Sequence, residues 1–239
     1  MSQFSDYNDV VFEAFCLHTK QKDIVDKKFE IISKVTEFYN LDPTNFLFVG
    51  FNPAILNIKN AEIFVTEVND KVFSWLLDQG VNAKKLDTNK LQKFDCVVAV
   101  DEYLSFCKTD EEQINNIKAL CHFSNNLVIT TVKDYKNQDF KDREFSQPAI
   151  IKNPGKLVSY IEIHDWDMND KSSFISYLYE MQEQESKCRS KTNRRALYFK
   201  QLAKFSMDSG ASDFLVHKNL MYKSLLKKNY EHVISIKFD

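Results

Sequence analysis

The residues best placed for chemistry are acids that close apolar runs. Phe46-Leu47-Phe48-Val49 stops at Gly50, and Glu62-Ile63-Phe64-Val65-Thr66 stops at Glu67. A strand, a glycine turn, a short connection and a second strand ending in an acid is how a doubly wound sheet builds a nucleotide site. The glycine lets a ligand approach the backbone, and the carboxylate can accept both hydroxyls of a ribose. Two core strands joined by a turn would account for the same residues without any ligand. A third run, Phe94 to Val100, ends at Asp101-Glu102, which makes these two acids candidate proton acceptors at a sheet edge. His164-Asp165-Trp166-Asp167 has the composition of a metal or acid–base cluster. On a strand, however, successive side chains alternate faces, so His164 and Trp166 point one way and the two aspartates the other. No metal is therefore expected, and His164 stays a candidate for contact with a reacting molecule.

Charge is the second chemical signal. The 239 residues carry a formal net charge of -2, but the distribution is uneven. Between Lys187 and Lys228 eleven basic residues face only Asp208 and Asp213, a local charge of +9 against -11 elsewhere. Arg194, Arg195 and Lys200, with Tyr198 and Phe199 among them, are the candidates for holding phosphates and stacking bases, so a nucleic acid or other anionic partner is expected there. A solvated face with its aromatics in the core gives the same pattern.

Several function classes are excluded by what is missing. Only four glycines occur, at 50, 80, 155 and 210, so neither GxGxxG nor GxxxxGK[ST] is present. The five cysteines are scattered and never spaced CxxC, which reads as buried thiols in a reducing, cytoplasmic compartment. No apolar run approaches a membrane span, and the first residues lack the basic and apolar regions of a signal peptide. The oligomeric state is left open.

The elements that must position these residues follow from periodicity. Residues 6–40 read as helical, with Ile24, Val25, Phe29, Ile32, Val35 and Phe38 on one face. Residues 1–44 are expected as a helical flank and 45–239 as the main domain. Asn69 and Thr109 are predicted helix caps, Thr109 with Glu112 in capping-box spacing. From 46 to 132 the pattern is βαβαβ with short links, which predicts an α/β fold with a doubly wound, mostly parallel sheet. Residues 133–155 read as a long loop, 156–182 as an inserted β-hairpin, 184–192 as a polar linker and 193–208 as a helix. Residues 220–228 read as a basic helix or loop, and 232–238 as the last strand.

This series of signals resembles the class I S-adenosylmethionine-dependent methyltransferases. The resemblance rests on Val49-Gly50-Phe51-Asn52 after the first strand, Glu67 after the second, Asp87 after the third, Phe94-Asp95-Cys96-Val97 in the fourth and Leu127-Val128-Ile129-Thr130-Thr131 in the fifth. It implies an antiparallel last strand at 233–238 and S-adenosylmethionine as cofactor, held by Gly50, Phe51, Asn52, Glu67, Asp87 and Val100. It also implies methyl transfer to a nucleic acid or other anionic acceptor, with Asp101, Glu102 or His164 as the base. Two departures stand beside it: Phe51, Asn52, Pro53 and Ala54 follow a single glycine, and no NPPY-like tetrapeptide follows the fourth strand. The alternative is a non-catalytic descendant of the fold that acts as a binding or assembly module. A nicotinamide-dependent oxidoreductase shares the acid but lacks the glycine fingerprint.

Overall fold

Phe46, Leu47, Phe48 and Val49 form the centre of the molecule because nothing in that run can face water. The computed structural model describes residues 3–87, 92–135, 141–183, 185–227 and 230–239. In chain order it runs α1 (Gln3–Leu17), α2 (Gln21–Phe38), β1 (Asn45–Val49), β2 (Glu62–Thr66), α3 (Asp70–Asp78), β3 (Ala83–Lys85), β4 (Phe94–Ala99), α4 (Asp110–Phe123) and β5 (Ser124–Val132). Then follow β6 (Arg143–Phe145), β7 (Ala149–Asn153), β8 (Lys156–Trp166), β9 (Ser173–Gln182), β10 (Glu185–Arg195), α5 (Phe199–Asp208), β11 (Asp213–Lys223) and β12 (Tyr230–Lys237).

Seven strands make the main sheet in the order β11-β12-β5-β4-β1-β2-β3. β1 to β5 are parallel, whereas β12 is antiparallel to both β5 and β11. The α/β, doubly wound expectation with an antiparallel last strand therefore holds. The chain leaves β1 towards β2 and β3, then returns to lay β4 on the other side of β1. That reversal sets the switch point of the sheet at the carboxyl ends of β1 and β4, where ligands bind in sheets of this kind.

Local chemistry fixes the ends of the elements. Asn69 Oδ1 accepts the Val72 N–H at 2.8 Å, and Thr109 Oγ1 accepts the Glu112 N–H at 3.1 Å. Glu112 reaches back to the Lys108 N–H at 2.6 Å, which satisfies a second orphan donor.

The second layer is larger than the expected hairpin. β7 and β6 pair with β8, β8 with β9 and β9 with β10, giving an antiparallel five-stranded sheet from Arg143 to Arg195. Part of the expected loop is thus β6 and β7, and the expected polar linker is β10. β10 lacks an apolar stripe: its first four residues are exposed and its inward positions are Ser190, Thr192 and Arg194. The helix expected from 193 begins only at Phe199, and the basic stretch after 220 continues β11 to Lys223. The expected single flank is two helices that turn at 18–20, and Phe38 is 59% exposed instead of inward. Cys16 and Cys188 are exposed, not buried. Among the described residues no helix is long and apolar enough to cross a membrane.

Candidate active site at the carboxyl edge of the main sheet

Gly50 leaves β1 at φ +87°, a conformation that β-carbons disfavour. A methyl group there would lie 2.5 Å from Asn8 Nδ2 and 2.7 Å from Phe4 Cε1, so side chains of α1 already press on this glycine. Asn8 Oδ1 also accepts the Phe51 N–H. The Phe51 ring turns away into a cluster with Phe12 and Trp75, at centroid distances of 5.1 and 5.9 Å. Asn52 caps the short turn that follows, accepting the Ala54 N–H at 2.9 Å. With α1 seated, the backbone of residues 50–52 is closed to a nucleoside.

Two further backbone distortions flank this point. Glu67 ends β2 at φ +57°, and Asp101 and Glu102 follow β4 at φ +57° and +55°. Left-handed backbone in non-glycine residues costs about 1 kcal/mol or more each and gathers at functional sites. Glu67 is half-buried, Val100 is buried and Asp87 is exposed.

Glu102 is the hub where the two sheets meet. Lys227 Nζ lies 2.5 Å from its Oε2 and Arg194 Nη1 lies 3.6 Å away; the Tyr135 hydroxyl donates to its Oε1 at 3.0 Å. From the second sheet, Glu162 accepts from Arg194 at 2.8 Å and from Ser176 at 2.7 Å, and His164 Nε2 lies 3.2 Å from its Oε2. Burial pushes the Glu102 carboxyl up, but Lys227 and Arg194 outweigh it and hold it at about 2. Glu162 is held well below the usual carboxylate range for the same reason. Asp101 accepts from the Tyr222 hydroxyl at 2.8 Å. A small cavity of about 10 Å³ lies among Glu102, Glu162, His164 and Glu231, room for one water molecule.

Alternation along β8 works as expected. His164 and Trp166 face inward, 4% and 6% exposed, while Asp165 faces out and pairs with Arg143 at 2.6 Å. The same alternation puts Glu162 beside His164, a placement that Glu-x-His in a strand already implied. Among the described residues no group of three or more His, Cys, Asp or Glu is arranged to hold a metal.

The arginines of the basic segment are spent internally. Arg194 is 1% exposed, held between Glu162 and Glu102 with its guanidinium 3.7 Å from the Phe106 ring centroid. Arg195 pairs with Asp110 at 2.7 Å and Asp170 at 2.9 Å, and Arg189 bridges Glu13 and Glu180. Of the three candidates for anion binding, only Lys200 is exposed to solvent.

Glu231 faces this cluster from β12, with Thr131 Oγ1 2.5 Å from its Oε2. Burial, then Glu102 and Asp101, push its carboxyl up to about 8 from an ordinary 4.5. Between those values the folded protein keeps a proton that the unfolded chain has lost, so stability falls as pH rises from about 4.5 to about 8. Lys28, driven down to about 8 by burial, acts above that window, and Glu102 acts below it. Urea titrations at pH 5.0, 6.5 and 7.5 are expected to show wild type losing stability relative to Glu231→Gln, by up to about 1.4 kcal/mol per unit. Parallel pH profiles for the two proteins would mean that Glu231 is ionised in the fold.

No protein family model and no curated protein matches the sequence. Solved structures do match, and the fold they share with this chain is that of the class I S-adenosylmethionine-dependent methyltransferases. Among them is DesVI of Streptomyces venezuelae, 11% identical with a TM-score of 0.67 over 95% of this chain and 97% of that one. A second is an S-adenosylmethionine-dependent methyltransferase from Clostridium acetobutylicum, 12% identical with a TM-score of 0.64, covering 89% and 91%. A third is CalS10 of Micromonospora echinaspora, an amino pentose methyltransferase solved with S-adenosylmethionine bound, 10% identical with a TM-score of 0.61, covering 89% and 90%. At these identities the likeness concerns the fold.

Proposed function

We propose that this protein transfers a methyl group from S-adenosylmethionine to a small polar acceptor, an amine being the class that suits the site. The observation that carries this reading is the strained backbone at Glu67, Asp101 and Glu102, set on both sides of Gly50 at the reversal of strand order. Of the six non-glycine residues at positive φ among those described, three are acids gathered at this one edge. Glu67 is the residue for the ribose, and Gly50 to Asn52 the backbone that the methionine part would meet once Phe4 and Asn8 withdraw. The acceptor amine is assigned to the carboxyl edge of β4 beside Asp101; Glu102 and Glu162, already neutralised by Lys227 and Arg194, shape that edge and do not take the acceptor's proton. One structural neighbour, CalS10, is an amino pentose methyltransferase, and an amino pentose carries an amine. A nucleic acid acceptor draws less support, since Arg189, Arg194, Arg195 and Lys227 are consumed by internal acids.

The second reading, a fold that has lost its cofactor, is favoured by the seating of α1 on Gly50. One titration separates the two. Seating of α1 lowers apparent affinity by the fraction of molecules in which it is displaced. S-Adenosylhomocysteine is expected to bind weakly to wild type and roughly tenfold or more tightly to Phe4→Ala/Asn8→Ala. Binding is expected to vanish when Glu67→Ala is added. Calorimetry reads the affinity. If neither wild type nor the double variant binds at millimolar ligand, methyl transfer falls and a binding module remains.

A further inference from the structure

Methyl transfer leaves unused a groove of about 830 Å³ between α2, β7 and the β11–β12 pair. That volume is within the range of small-molecule sites, whose walls are mainly apolar with a few polar anchors. Ile24 and Ile31 of α2 form one wall. Ile150 of β7 and Met221 of β11 form the other, and both stay unusually open to water, at 47% and 39% exposed. β11 breaks register with β12 between His217 and Met221, and such a bulge re-aims side chains along a strand.

The rim is cationic. Seven lysines and one glutamate line the groove, and that glutamate, Glu30, is already paired with Lys34 at 2.5 Å. Among the described residues Lys20, Lys27, Lys152 and Lys223 make no ion pair. Four unneutralised ammonium groups around an exposed apolar trough repel one another, and a single anion placed among them relieves that repulsion. Lysine stems can also line the apolar part while their heads remain in water.

We propose that this groove binds a single-chain amphiphile as a monomer, its anionic headgroup on the lysine rim and its hydrocarbon chain along Ile31, Ile150 and Met221. The site is separate from Gly50 and Glu67 and does not depend on methyl transfer. Phosphate and carboxylate heads share the required charge, and the lysines, as point charges, do not select between them.

The test titrates the 239-residue protein, without any nucleoside, with decyl phosphate below its micelle concentration. Saturable binding is expected, weakening roughly tenfold or more in Lys27→Glu/Lys223→Glu and, separately, in Ile150→Asp/Met221→Asp. All four positions are exposed or half-exposed, and circular dichroism confirms that the variants are folded. Decanol binding as tightly as decyl phosphate would remove the anionic head from the proposal. Butyl phosphate binding as tightly would remove the chain. Co-sedimentation with phosphatidylserine vesicles without binding of monomeric decyl phosphate would replace the bound monomer by a membrane surface and overturn it. Absence of saturable binding at 1 mM decyl phosphate, on the order of the weakest affinities worth assigning, would overturn it outright.

Discussion

Replacing Arg194 with alanine is expected to destabilise the protein by about 3–5 kcal/mol, because two buried carboxylates lose a shared partner. The side chain is 1% exposed and is shared by Glu162 of the second sheet and Glu102 of the first. Without it, two carboxylates remain buried with Lys227 as their main neutralising charge. Arg195, the next residue, provides the control. Its partners Asp110 and Asp170 are 69% and 46% exposed and are taken up by water when the arginine is removed, so Arg195→Ala is expected to cost less, about 1–2 kcal/mol. Urea denaturation followed by circular dichroism measures both. Equal losses would show that the two sheets are not joined through Arg194. The same contrast decides how polyanion binding is probed. Any loss in Arg194→Ala would report a loss of fold, so Lys200, exposed on α5, is the residue whose replacement tests a phosphate contact.

How much of this was legible in the chain depends on what kind of force placed each element. The parallel core was readable because β1, β4 and β5 are buried on both faces and so carry nearly continuous apolar runs. Caps at Asn69 and Thr109 were readable because they are local. β10 was not, since its inward face is Ser190, Thr192 and Arg194, and only Glu162 and Glu102 justify the burial of the arginine. Those partners are 32 and 92 positions away, a separation that no window along the chain spans. Arg194 looked like an exposed anion binder for the same reason: a run of lysines and arginines does not disclose which members meet an acid. Glu102 was identified by its place after β4, but Lys227, Tyr135 and Glu231 join it only through the sheet order. The seating of α1 on Gly50 was equally hidden, because an aromatic helix face reads as core whichever surface it covers.

Gly50→Ala addresses that seating directly. The substitution forces a β-carbon into left-handed backbone, worth about 1–2 kcal/mol, and drives it into Asn8 and Phe4, worth about 1–3 kcal/mol more. A total loss of about 2–5 kcal/mol is expected by urea denaturation. The two contributions separate in a double-mutant cycle with Phe4→Ala/Asn8→Ala. Opening the space under α1 removes the collision but leaves the backbone strain, so Gly50→Ala is expected to cost only about 1–2 kcal/mol in that background. A coupling near zero would mean that α1 does not rest on Gly50 in solution. The crevice would then stand open without any mutation, and wild type and Phe4→Ala/Asn8→Ala would bind S-adenosylhomocysteine equally well. A coupling above about 1 kcal/mol ties the helix to the glycine. Entry of a nucleoside must then include the cost of lifting Phe4, Tyr7 and Asn8 off the sheet. That cost is partly set by Arg189, which holds α1 from the second sheet through Glu13, and by Gln3, which accepts the Asn193 N–H at 2.7 Å. Both contacts are polar, whereas the Leu17 end of α1 is held by the aromatic cluster of Phe12, Phe15 and Trp75, so the Gln3 end is the one that lifts.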